Sequence, residues 1–276
     1  MKIGFVGLGM QGGPMAEMIL RNGFELHVWA RRESATQRLS ELGAQVQPDV
    51  EALARGVDHL CLCVTGDEDV RDILFRRQAL VNLRPGSILS LHSTVDPRLN
   101  QEVEQAARDE GVSVLDAPVS GSAAAAYGKK LLVLVGAETK ALTRARPLYE
   151  SYADAIIHFG PVGAGSRAKL VNNLLMIAHL GLAYRALELG KGFGLSPALL
   201  REAVLAGTGA SFSMGTLGRC QEPQYAENVH RILLKDFNLA NAAAASDAQS
   251  MQPLDALCQQ TLSVLERLGR GEGRLI

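Results

Sequence analysis

Lys169 and Asn173 stand four residues apart in the run Lys169-Leu170-Val171-Asn172-Asn173, and Ser166 lies three residues before the lysine. On a helix that spacing lines the three along one face. An amine in such a place can move a proton on a small substrate, a step typically worth ~10²–10⁴ in rate. To act as a base the lysine must be neutral, so its pKa is expected to fall from about 10.4 toward ~7–8 through burial or nearby positive charge. Its neighbours Leu170, Val171, Leu174, Leu175 and Met176 are apolar and suit this. Asn173 could donate its amide to a substrate oxygen or fix the lysine, and the spacing does not separate the two. The plainer alternative is an exposed lysine at a helix start beside an asparagine that bonds a neighbouring helix.

A second group opens the chain. The apolar run Lys2-Ile3-Gly4-Phe5-Val6 leads into Gly7-Leu8-Gly9-Met10-Gln11-Gly12. Gly7 and Gly9 permit a tight turn and close approach of a pyrophosphate, Gly12 lets the next helix pack near the strand, and the helix start turns N–H groups toward phosphate. The pattern alone is weak, but between a strand and a helix it predicts a dinucleotide site. Selectivity is read after the second predicted strand, where an acidic residue would bind a ribose 2′-hydroxyl. Ala30-Arg31-Arg32 stands there with no carboxylate before Glu33. Two guanidiniums suit a 2′-phosphate, so NADP(H) is preferred, with NAD(H) as the alternative.

The elements that would position these groups follow a βαβ rhythm. Strands are predicted at Lys2–Val6, Leu26–Trp29, His59–Val64, Ser87–Leu91, Ser113–Leu115 and Leu131–Val135. The first helix runs through Pro14–Leu20 and can end at Gly23. Composition turns to Gly and Pro at Phe159–Gly165, the predicted domain boundary, and Ser166–Gly190 reads as one long, mostly apolar helix buried between domains or subunits. Helical character continues through Leu239–Ala248 and Leu254–Leu268, with loops at Thr208–Thr216 and Pro223–Asn228 and a polar tail at Arg270–Gly273. The expected fold is α/β: a dinucleotide-binding Rossmann domain with a doubly wound parallel sheet over 1–162, a connecting helix over 163–192 and an all-α domain over 193–276 that completes the substrate site.

A length of 276 residues with 28 basic and 29 acidic side chains leaves no charge footprint for nucleic acid or an anionic membrane. No leader pattern and no run of ~20 uncharged apolar residues is evident, so a soluble, cytoplasmic protein is expected. Four cysteines are too few for a disulfide framework. Cys61 and Cys63 share a strand face and read as small core residues; no metal site is expected.

The assembled residues resemble the β-hydroxyacid dehydrogenase family over nearly the whole chain: Gly7 through Ala16, His92-Ser93-Thr94, Asp116-Ala117-Pro118-Val119-Ser120-Gly121, Gly163-Ala164-Gly165 through Lys169 to Asn173, and Lys235-Asp236. The resemblance implies reversible hydride transfer between nicotinamide and a small 3-hydroxy acid or its semialdehyde, with Lys169 as the proton-transfer residue and assembly into dimers or tetramers. Ser120, with backbone N–H groups of Gly121 and Ser122, would hold a substrate carboxylate, helped by Thr94, Asn173 and Asp236. Cofactor contacts are assigned to Gly7, Leu8, Gly9, Met10, Gln11, Gly12, Ala30, Arg31, Arg32, Val64, Thr65, Thr94 and Lys235. A surface ion pair remains the alternative for Lys235 and Asp236, and His92 reads as structural. Three positions depart from the family: Ser122 replaces a second glycine, Asn228 stands where an aromatic wall is common, and Arg185 where glutamate is frequent. A polar Asn228 opens the pocket to a larger or more polar substrate than 3-hydroxyisobutyrate. Related imine reductases usually replace the lysine, so Lys169 argues against that activity, and a silent dinucleotide-binding scaffold would need none of Lys169, Asn173 and the serine loop.

Overall fold

The computed structural model describes residues 1–272, so Gly273 of the expected polar tail lies outside the described residues. Two compact units divide the chain, Met1–Lys169 and Leu170–Ile276, with the division inside the long helix. The first is a Rossmann domain and the second is all-α.

Nine strands are described: β1 Lys2–Val6, β2 Glu25–Trp29, β3 Gln45–Val46, β4 His59–Leu62, β5 Ile88–Leu91, β6 Ser113–Asp116, β7 Val119–Ser120, β8 Leu131–Gly136 and β9 Ala153–Gly160. The first six are parallel in the order β3-β2-β1-β4-β5-β6. Then β8 adds antiparallel to β6, β7 antiparallel to β8, and β9 parallel to β8. Helices cover both faces, so the central strands are apolar on both sides rather than alternating with polar residues. Ile3, Phe5 and Cys61 feed one buried cluster, while Val6, Leu60 and Leu62 feed the other. Cys63 packs on the same side as Cys61, as the period of two predicts.

The six predicted strands are all present within one or two residues of their ends. The sequence reading lacked β3, β7 and β9. β9 is half exposed along most of its length, with Ile157 and Phe159 open, so its short run Ala155-Ile156-Ile157 is not one buried on both faces.

In the second unit, the helix that begins in the first unit at Ala164 and runs to Gly192 buries Leu170, Leu174, Ile177, Ala178 and Leu187 in a helical core. Length and composition alone would let it cross a membrane, against the expectation that no stretch comes close. The reason is its place in a core: this stripe packs against Phe237, Cys258, Leu262 and Leu265. The opposite stripe, Val171, Leu175, Leu182 and Leu189, is exposed. Helices Pro197–Ala206, Pro223–Ser246 and Leu254–Gly269 complete most of the unit. Pro223–Asn228, expected as a loop, is the start of the second of these, and Thr208–Thr216 contains the short helix Phe212–Thr216. Proline at a first helical position is a start signal, because its missing N–H would have no intrahelical partner there.

Candidate functional site

At the carboxyl end of β1 the chain turns at Gly7 with φ +96°, the left-handed region, and a Cβ there would strike the Cys63 carbonyl. At Gly12 a Cβ would collide with the Gly7 carbonyl, so the helix Gly12–Arg21 starts against the turn itself. Gly9 differs: nothing lies within 4 Å of where its Cβ would stand. Of the two glycines assigned to the turn and to close phosphate approach, Gly9 is thus the one whose backbone is bare toward open space. Leu8 and Gln11 are half-buried, Met10 is exposed, and the Gln11 Nε2 donor is buried with no hydrogen-bond partner among the described residues. A bare cradle and an unmet donor fit a nicotinamide dinucleotide.

Neighbouring loops are tied to this edge. The Ser93 hydroxyl accepts from the Val64 N–H at 2.9 Å, joining the ends of β4 and β5, with Thr65 exposed and Thr94 half-buried beside them. Past β2, Ala30 is half-buried and Arg31 and Arg32 are exposed. Arg31 is not a free guanidinium: Nη1 donates to Asp69 at 2.7 Å and Nη2 to Asp72 at 3.0 Å. Arg32 has no ion pair among the described residues.

The expected substrate loop is partly strand. Ser120 closes β7 opposite Leu132, half-buried. Gly121 has φ +127° and a Cβ there would press on Leu131, so glycine is required. Ser122 takes an extended backbone, φ −94° and ψ 176°, which any residue adopts. The departure from a second glycine therefore costs no strain.

Asp116, at the end of β6, has a function the sequence reading did not assign. It is fully buried, its Oδ1 accepts from the Gly163 N–H at 2.8 Å, and its Oδ2 from the Ser166 N–H at 2.6 Å. Burial raises its pKa to about 6, opposed by these bonds and by the Ser166 hydroxyl. The long helix, which begins Ala164-Gly165-Ser166, is thus capped by a carboxylate 48 residues upstream of Ala164. A signal for this was available: Gly160-Pro161-Val162-Gly163 precedes the helix and holds no Ser, Thr, Asp or Asn to cap it locally. Strand and helix also touch backbone to backbone, since a Cβ at Gly136 would strike the Gly165 nitrogen as well as the Asp116 carboxylate, and one at Gly165 the Leu134 carbonyl. Within the same turn, the Ser166 hydroxyl accepts from Asn100 Nδ2 at 2.6 Å. One turn on, Lys169 is buried.

Asn173, a further turn along, is buried in the helical unit, and its Nδ2 donates to Asp236 Oδ2 at 2.6 Å. Lys235 Nζ lies 3.0 Å from Asp236 Oδ1, an ion-pair distance, yet that oxygen has no aligned hydrogen-bond donor among the described residues. The alternative of a surface pair does not describe Asp236, which is 4% exposed and turned toward Asn173. Lys235, half-exposed, lies on the outer face of the same helix, in a shallow groove shared with His230, Arg231, Leu234 and Asn238.

His92 donates from Nδ1 to the Ala117 carbonyl at 2.7 Å and accepts at Nε2 from the Tyr152 hydroxyl at 3.3 Å. Both ring nitrogens are used and burial holds its pKa down to about 4, so it is a core histidine. Burial likewise pushes the Cys63 thiol up to about 12, and Cys61 higher, which makes both inert as nucleophiles.

Residues 2–160 match the family model for the NAD binding domain of 6-phosphogluconate dehydrogenase, and residues 163–274 match that for the NAD-binding domain of NADP-dependent 3-hydroxyisobutyrate dehydrogenase. An NAD-dependent L-serine dehydrogenase of Pseudomonas aeruginosa is 31% identical over 98% of this chain and 94% of its own. The chain belongs to the β-hydroxyacid dehydrogenase family. As a member of that family it is an NAD(P)-dependent hydroxyacid dehydrogenase. Another relative, the 3-hydroxyisobutyrate dehydrogenase of the same organism, is 31% identical over 95% of this chain and 91% of its own. Among solved structures, Psf3 in complex with NADP+ and 2-OPP superimposes with a TM-score of 0.84 at 26% identity, covering 98% of this chain and 99% of that one. Two of the departures from the family pattern lie at the surface. Asn228 is exposed and accepts from Arg231 Nη2 at 3.4 Å, and Arg185 is exposed with its guanidinium 5.8 Å from the Tyr184 ring.

Proposed function

We propose that the protein is an NADP(H)-preferring oxidoreductase that interconverts a short 3-hydroxy acid and its semialdehyde, with Lys169 as proton acceptor in one direction and donor in the other. The observation that carries this is a buried lysine one turn past a helix start held by Asp116 and one turn before the buried Asn173–Asp236 pair. A nicotinamide dinucleotide bound at the Gly7–Gly12 turn supplies the hydride donor or acceptor. Lys169 Nζ takes the hydroxyl proton when the alcohol is oxidised and returns it to the alkoxide oxygen when the aldehyde is reduced, so that proton and hydride leave or arrive together. Asn173, fixed through Nδ2 by Asp236, accepts at its carbonyl oxygen from Asn172 Nδ2 at 3.1 Å and has that oxygen's second lone pair to orient an ammonium or hydroxyl donor. Ser120 and the N–H groups of Gly121 and Ser122 bind the carboxylate. L-serine and 3-hydroxyisobutyrate, named for the two relatives, share a carboxylate with a hydroxyl on carbon 3, which supports the substrate class.

The NADP preference rests on Arg31-Arg32 and on Ala30 where a ribose-binding carboxylate would stand; the L-serine relative is named as NAD-dependent. Four free thiols suit a reducing cytoplasm. The exposed stripe Val171, Leu175, Leu182 and Leu189 suits burial in a homodimer or homotetramer. A panel of 3-hydroxy acids, semialdehydes and cyclic imines, assayed with both nucleotides by cofactor absorbance, tests the reading. Turnover of hydroxy acids or semialdehydes with higher kcat/KM for the phosphorylated nucleotide is expected. Turnover of imines alone, or nucleotide binding with no turnover, would remove it.

A further inference from the structure

β2 and β4 are the two neighbours of β1, in register at their carboxyl ends, where Val6 pairs with Trp29 and with Leu62. Arg31 lies two residues past Trp29, and the helical segment with Asp69 and Asp72 follows Leu62. The Arg31–Asp69 and Arg31–Asp72 ion pairs therefore join the segments on either side of the strand that leads into the Gly-rich turn. The two carboxylates are not equivalent. Asp72 also accepts from Arg76 Nε at 3.2 Å and from Arg77 Nε at 2.9 Å, and Arg77 in turn lies 5.3 Å from the centre of the Trp29 ring. When Arg31 moves, Asp72 keeps two arginines. Asp69 has its ion pair with Arg31.

We propose that Asp69 is a specificity-determining residue for the nucleotide, one that restrains the preference for NADP(H) by holding Arg31 and repelling the 2′-phosphate. This rests on the reading that the 2′-phosphate comes to Arg31 and Arg32. A guanidinium whose Nη1 and Nη2 each already meet a carboxylate offers less net charge to a dianion, and the dianion must come within a few ångströms of Asp69 to reach it. NAD(H) carries a neutral 2′-hydroxyl at that place and feels neither effect. Asp69 and Arg31 side chains are 25% and 51% exposed, so solvent screens the pair and the expected effect is moderate.

The test is Asp69→Asn in the full chain, read by direct binding. Kd values for NADPH and NADH come from nucleotide fluorescence, and those for 2′,5′-ADP and 5′-AMP, which lack the nicotinamide, from calorimetry. The substitution is expected to tighten NADPH and 2′,5′-ADP about fivefold to tenfold, the size of one screened like-charge contact, and to leave NADH and 5′-AMP within about twofold. Asp69→Ser, which also removes the charge, should shift the ratio the same way. An unchanged ratio, or a shift toward NADH, overturns the inference, since it would mean that Asp69 either does nothing or pre-orients Arg31. A wild-type preference for NADH with the ratio still moved by Asp69→Asn overturns the nucleotide reading alone and upholds the role of Asp69.

Discussion

The Gly7–Gly12 turn and the Gly163–Asn173 helix start do their work by opposite means. In the turn the backbone acts and side chains are kept out, so three glycines and their spacing carry nearly the whole feature. At the helix start the proposed work falls to side chains, and those of Ser166 and Asn173 are held by residues distant in sequence: Ser166 by Asn100 and Asp116, Asn173 by Asp236. Local spacing can show the first kind of site and only the active half of the second.

The comparison breaks most sharply at Lys169. If Lys169 is the proton carrier proposed above, Lys169→Ala should lower kcat by about 10²–10⁴ while the nucleotide Kd stays within about twofold, because the proposed role includes no phosphate contact. Steady-state kinetics beside a binding titration check it, and equal loss of nucleotide affinity would merge the two regions into one. In the turn, Gly12→Ala should destabilise the fold by about 3 kcal/mol, since the new methyl meets backbone that cannot retreat. Gly9→Ala should leave the urea midpoint unchanged and weaken dinucleotide binding instead, because its methyl fills the space left for phosphate. Similar midpoints for both variants would contradict the division of labour among the glycines.

Asp116→Asn sharpens the second region. An amide NH₂ would face one of the two backbone N–H groups, costing about 1–3 kcal/mol and lowering kcat more than it raises KM. Unfolding curves and kinetics of the same variant measure both.

The smallest effect per step is that of pH. Burial holds His59 at about 3 and His92 at about 4, below the 6.5 of the unfolded chain, so acidification protonates the unfolded state first. Stability should fall as pH drops below 6.5, by about 1.4 kcal/mol per pH unit for each histidine. Asp116 has the opposite sign: at about 6, above its unfolded 3.8, it takes its proton first in the folded state and offsets part of the loss between pH 6 and 4. Asp116→Asn should therefore steepen the acid side of the profile. A flat urea midpoint between pH 7 and 5 would show that the two imidazoles are not kept neutral by folding.

How much was legible follows the same line. Five strands of the parallel core together with β8, the long helix and the all-α remainder were readable because continuous burial on both faces, or a helical period, imprints itself on neighbouring residues. β9 was not, since it is only partly buried, with Ile157 and Phe159 open, and so lacks the imprint of a core on both faces, and neither was the register that adds it beside β8. Lys169 and Asn173 could be found by type and spacing. The carboxylate at 116 could be seen only as part of a motif, because capping a helix 48 residues away is a property of tertiary structure. The ion pairs of Arg31 were not legible for the same reason: Asp69 and Asp72 are about forty residues downstream and reach it only through the order of the sheet.

The bare backbones at Gly136 and Gly165 make the sheet and the amine-bearing helix a single mechanical part. One methyl group at either residue would act as a shim and tilt the lever on which Lys169 rides. An enzyme of this design could be detuned without touching any group that meets substrate, and its rate would report ångström-scale wedging at a place with no chemistry of its own.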